Sequence, residues 1–125
     1  MKEMKAAGSI EYKGKKYNLV FNLNVMEEIQ EEYGSIEKWG ALCEVAPGKE
    51  PSVKALKYGL GAMINEALDI ENEEKGLSQE PLSLKKIGRI ISELGIGEAA
   101  KALSNTVVKS TKSNPKNESS TTKKK

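Results

Sequence analysis

Asp69, Glu71 and Glu73 stand at alternate positions, the spacing of the first three ligands of a calcium-binding loop, and Glu80 falls where such a loop ends in a carboxylate. Glu74, however, occupies the position where that loop must turn on glycine, so a solvated acidic segment is the expectation. Gly8, Gly14 and Lys15 resemble a phosphate-binding loop at a glance. The glycines are one residue further apart than the motif allows, and Lys16 stands where Ser or Thr would bind magnesium, which leaves a hairpin with a glycine turn. The carboxylate pairs Glu27-Glu28, Glu31-Glu32 and Glu73-Glu74 are chain neighbours, which diverge on a helix, and each sits on a polar face with no apolar pocket to raise a pKa. The chain contains no His, which excludes imidazole bases, Ser-His and Cys-His nucleophile pairs and His-ligated metals. Cys43 is the single cysteine, so there is no internal disulfide and no cysteine-rich zinc site, and it reads as core packing. No catalytic, cofactor-binding or metal-binding residue is assigned, and an enzyme is not expected.

The elements that carry these residues are legible in the periodicity. Apolar residues alternate at Ile10 and Tyr12 and again at Tyr17, Leu19 and Phe21 around Lys13-Gly14, the pattern of a β-hairpin with one buried face. A hairpin is marginal alone, so that face must pack on elements later in the chain. Asn24 is expected to cap a helix over 25–33, with Met26, Ile29 and Tyr33 inward and Gly34 as its stop. Ser35 caps a second helix whose stripe is Ile36, Trp39, Leu42, Cys43 and Ala46, before the Pro47-Gly48 break. The third and longest helix spans 52–70, with Val53, Leu56, Leu60, Met63, Ile64 and Ala67 as the central core. Gly59 and Gly61 inside it each cost about 1 kcal/mol of helix propensity, which implies a close neighbour. Residues 71–81 are expected to form a mobile loop. Ser83 caps a fourth helix bearing Leu84, Ile87, Ile91 and Leu94, stopped by Gly95-Ile96-Gly97. A fifth over 98–108 carries Ala99, Leu103 and Val107.

The fold class expected is α+β: a small, mostly helical domain of about five helices with an N-terminal hairpin. It divides into a flexible start at 1–7, one domain at 8–108 and a disordered basic tail at 109–125, because the tail has nothing apolar to bury. The net charge of +2 is unevenly spread: six lysines oppose Glu118 in 104–125, five oppose Glu3 and Glu11 in 1–17, and the stretch between is acidic. That is not the footprint of a folded surface that grips nucleic acid. The 84–103 stretch can be written as helix, turn, helix, but the second helix opens Glu98-Ala99-Ala100-Lys101-Ala102, with little to offer base edges. The start of the chain lacks a signal-peptide core, and the longest mostly uncharged run, 58–67, is too short to span a bilayer. A cytoplasmic, soluble protein is expected.

The run LVFNLNVMEEIQEEYG at 19–34 resembles the tail assembly chaperones of long-tailed bacteriophages and prophages, and the related small tail proteins of gene transfer agents. Their N-terminal region is similar: a short hairpin ending in an apolar-Phe-Asn/Asp-apolar-Asn run, then a Glu-rich helix closed by glycine. LSLKKIGRIISELG at 82–95 is similar to that family's late Ser/Thr-capped helix, and the likeness spans about 8–108; Val25 departs from the commoner Ala. The resemblance implies a non-enzymatic protein without cofactors. It would bind the tape measure protein in the bacterial host's cytoplasm, keep it soluble, recruit tail tube subunits, and be absent from the mature virion. It implies that a longer product can arise by frameshifting, with Lys123-Lys124-Lys125 as a candidate slippery region, and it leaves self-association open. Two other readings stand beside it: a structural tail protein retained in the virion, and a small DNA-binding regulator using the 84–103 helices. Core and binding stripes share one period, so the partner-binding face is not assigned.

Overall fold

The computed structural model describes residues 8–112, which form β1 (Gly8–Tyr12), β2 (Lys15–Leu19), α1 (Leu23–Tyr33), α2 (Ile36–Cys43), α3 (Val53–Lys75), α4 (Leu84–Leu94) and α5 (Ile96–Lys112). The expected α+β architecture of a hairpin and five helices is what forms. The expectations for 1–7 and 113–125 lie outside the described residues.

The two strands are antiparallel, with Ile10 opposite Tyr17 and Tyr12 opposite Lys15. Lys13 and Gly14 both hold positive φ, 48° and 79°, the backbone of a type I′ turn, whose twist matches that of the strands. Ile10, Tyr12, Tyr17 and Leu19 form the buried face. β2 closes on α3 and β1 on α5, so the hairpin is stabilised by the helices. Lys13 and Lys86 each place Nζ over the Tyr12 ring, 5.6 Å from its centre. Beyond the ladder, the Val20 N–H donates to the Met63 carbonyl at 3.3 Å, which fastens the strand's end to the middle of α3.

Four helices open on side-chain caps: Asn22 accepts from Val25 N, Ser35 from Lys38 N, Ser52 from Ala55 N and Ser83 from Lys86 N, all at 3.0–3.2 Å. Asn24 is not the cap of α1; Asn22 is, because it alone holds the extended backbone (φ −127°, ψ −171°) a cap requires. Asn24 falls inside the first turn, and the side-chain amides of Asn22 and Asn24 both donate to Glu66 on α3, at 2.9 and 3.0 Å. α2 ends at Cys43, short of Ala46. Residues before proline avoid the helical region, and Ala46 instead bridges Lys49 across Pro47-Gly48.

α3 runs to Lys75, past the expected end at 70, and closes on Gly76 in the left-handed region. Its last residues are helix formers with no breaker among them, and Lys75 complements the helix dipole. The loop expected at 71–81 is therefore short and tied down, not mobile. Asn72 exchanges two hydrogen bonds with the backbone of Gln79, and Asn65 does the same with Leu82. α5 begins at Ile96, because the Gly95 carbonyl accepts from Ala99 N at 2.9 Å. It continues to Lys112, so 109–112 belong to the helix and not to a disordered tail.

α3 is the core element, burying Leu56, Leu60, Met63 and Ile64 completely, whereas Val53 in its first turn is exposed. The close neighbours implied by its glycines are present. A methyl group at Gly59 would overlap the Trp39 indole, and one at Gly61 would lie 3.4 Å from Ile87. Trp39 stacks nearly parallel on Phe21 at 6.5 Å and donates its indole N–H to the Ala55 carbonyl at 3.0 Å. Loss of such a buried aromatic costs about 3–5 kcal/mol, so Trp39 is a principal tie between α2 and the body.

Candidate functional site

The residues whose spacing suggested chemistry are dispersed by the fold. Gly8, Gly14 and Lys15 belong to the hairpin and its turn, and no helix opens behind them to receive a phosphate. Asp69, Glu71 and Glu73 lie on α3, where alternate residues point about 200° apart and cannot share one ion. Among the described residues no group of three or more His, Cys, Asp or Glu is placed to hold a metal. Cys43 is buried, and burial pushes its thiol up to about 11 against a smaller opposite pull from Lys49, so the sulfur is a packing group with little thiolate at neutral pH. α5 turns Ala99, Leu103 and Thr106 into the body and leaves Lys101 and Lys109 exposed on its outer side. That is thin provision for a recognition helix.

One carboxylate departs from the expectation of plain solvation. Glu28 borders a polar recess of about 480 Å³ between α1, α3 and the 77–82 loop, together with Glu66, Asp69, Asn65 and Tyr58. Partial desolvation first, then the charges of Glu66, Glu27 and Glu31, hold its carboxyl above the ordinary value. Above this recess Tyr58 donates its hydroxyl to the Glu28 carbonyl at 3.2 Å and meets Tyr33 edge to face at 5.7 Å. Glu66 already receives two asparagine amides, so its role there is to anchor the start of α1.

The larger apolar feature is a groove of about 570 Å³ between α2 and α5. It exists because both helices present small residues on the rows that face each other, Gly40 and Ala41 on one side, Gly97 and Ala100 on the other. With no bulk there, the helices leave the space between them unfilled. Trp39, Cys43 and Leu103 form its floor, and Ile36, Val107, Val108 and Val45 its apolar walls; Val45 and Val108 are about half exposed, at 52% and 48%. Glu37 on α2 and Glu44, its C-cap residue, stand on one edge, Glu44 paired with Lys49 at 3.6 Å, and Lys101 stands on the α5 edge. A second apolar recess, of about 560 Å³, lies against Tyr33, Ala41 and Leu42, so apolar surface borders α2 in two places.

The groove holds no nucleophile paired with a base, and its one sulfur is the high-pKa thiol. Its size, apolar lining and charged edges suit an amphipathic helix laid between two helices. The sequence pointed to none of Gly40, Ala41, Gly97 and Ala100 as a set. The available signal was Val107-Val108, adjacent apolar residues near the end of an amphipathic helix that has room for only one of them in its core row. The fully buried member of that row is Thr106, whose hydroxyl donates to the Ala102 carbonyl at 2.8 Å beneath Gly8. Among the described residues no helix is long and apolar enough to cross a membrane. No family model matches the chain, and no curated protein or solved structure matches it.

Proposed function

We propose that this protein is a non-enzymatic tail assembly chaperone of a phage or prophage. It binds helical segments of the tape measure protein in the α2/α5 groove, keeps that partner soluble in the host cytoplasm, helps recruit tail tube subunits, and is absent from the finished particle. The observation that carries the reading is the groove itself, an unfilled apolar channel with half-exposed valines at its mouth. A chaperone for a long helical partner needs such a surface, and the likeness of 19–34 and 82–95 to tail assembly chaperones supplies the kind of partner. Those two stretches fold as the end of the hairpin with α1, and as α4.

Co-expression with the tape measure protein of the same genome, with affinity capture and a solubility assay, tests the proposal. The expected result is a soluble, retained partner. A partner that aggregates regardless and is never captured contradicts it. Mass spectrometry of purified particles separates the chaperone from a tail protein that stays in the virion, since a chaperone is missing from them.

A further inference from the structure

Charged residues border the groove on both sides. Glu37 lies in the first turn of α2, Glu44 caps its C-terminal end seven residues later, and Lys101 stands on the α5 side. Glu44 also pairs with Lys49 at 3.6 Å, but both side chains are exposed, and such a surface pair is weak enough for a partner's cation to compete with it. The length of α2 separates the two positions by about 10.5 Å, so a second helix lying along α2 meets these carboxylates with its own residues at a seven-residue interval. Resting on the reading that the groove is the partner site, we infer that its occupant is one amphipathic helix of a partner protein, about three turns long. The helix carries Lys or Arg seven residues apart on the edge facing α2 and an apolar stripe between the walls.

Other occupants fit less well. Residues 113–125 contain nothing apolar to fill the groove. Residues 1–7 offer only Met1 and Met4 as large apolar side chains, too few for a channel bordered along α5 from Gly97 to Val108. A second copy related by a two-fold axis would set concave surface against concave surface and leave both channels unfilled. The chain's own amphipathic helices have their apolar rows committed to the core.

The test uses the full chain and two synthetic helical peptides with the same Leu/Ala apolar stripe, one with Lys and one with Glu at two positions seven apart, read by fluorescence anisotropy. The Lys peptide is expected to bind at least tenfold more tightly at low salt, and that preference is expected to shrink at high salt. Glu37→Lys with Glu44→Lys should reverse the preference. The gentler pair Glu37→Gln and Glu44→Gln should abolish it, and guards against a folding defect in the charge-reversed chain. Equal binding of both peptides overturns the inference. So does a gain in peptide affinity when 1–7 are removed, which would make that segment the occupant, or a concentration-dependent dimer that peptide dissociates. Capture of the tape measure protein together with equal peptide binding leaves the chaperone intact and removes only the charge rule. Selective Lys-peptide binding without capture removes the chaperone and leaves the groove chemistry.

Discussion

Asn65, in the middle of α3, holds Leu82 by both of its backbone polar groups, accepting from the N–H at 2.8 Å and donating to the carbonyl at 3.1 Å. Two helical turns later Asn72 grips Gln79 in the same way, at 2.9 and 3.0 Å. These two amides lay the 77–82 loop along α3 and deliver Ser83 to its position as the cap of α4.

Asn65→Ala should therefore cost about 1–3 kcal/mol, because it strands both backbone groups of a part-buried residue. A domain of this size loses roughly 4–8 °C of Tm for each kcal/mol. A thermal melt, with hydrogen exchange at the Leu82 amide, reads the effect. An unchanged melting point with unchanged protection at Leu82 would show that the clamp is incidental.

Gly59 and Gly40 should respond in opposite directions to alanine. At Gly59 the added methyl collides with the Trp39 indole, and overpacking of this kind costs about 1–3 kcal/mol, more than the roughly 1 kcal/mol gained in helix propensity. At Gly40, also in a helix, no atom beyond its own turn of helix lies within 4 Å of the added carbon, so Gly40→Ala should raise stability by up to about 1 kcal/mol. Urea titrations of the two variants, with Trp39 fluorescence as the second readout for Gly59→Ala, decide the matter.

The Cys43 thiol, pushed up to about 11 from its ordinary 9, should react slowly with a disulfide reagent at pH 8 in the native protein and rapidly in urea. Its folded-state pKa lies above the unfolded one, so stability should fall as pH rises beyond about 9 while the unfolded chain releases that proton first. Rapid native-state labelling would mean that the floor of the groove opens readily.

Glu28 titrates with the same sign at lower pH. Its carboxyl is held above the ordinary 4.5, so the folded state binds the proton more tightly, and this site lowers stability as pH rises through and above that value. Glu28→Gln removes the effect, and the variant should gain on the wild type between pH 4 and pH 7. Melting curves across that range that stay parallel would contradict it.

Much of the fold is legible in the sequence because its signals are local. The glycine turn, the serine caps at 35 and 83, and the apolar stripes all act within a few residues. Where the reading misses, a longer-range partner decides. Asn22 and Asn24 are equivalent as local caps until Glu66 and the backbone choose between them. The acidic run after 70 looks like a loop until its helix formers are joined to a long, well-packed helix. The groove is legible least of all. It is a space left by small residues on two helices far apart in the chain, and a missing side chain has no period.

Whether a partner helix enters the α2/α5 groove is decided by capture of the co-expressed tape measure protein by the wild-type chain and by Ser104→Trp side by side. Ser104 is an exposed residue of the groove wall, where an indole fills the channel without entering the core. Capture by the wild type is expected, with its loss in a variant whose melting point is unchanged. Equal capture by both would show that the partner binds elsewhere, and capture by neither would contradict the chaperone reading.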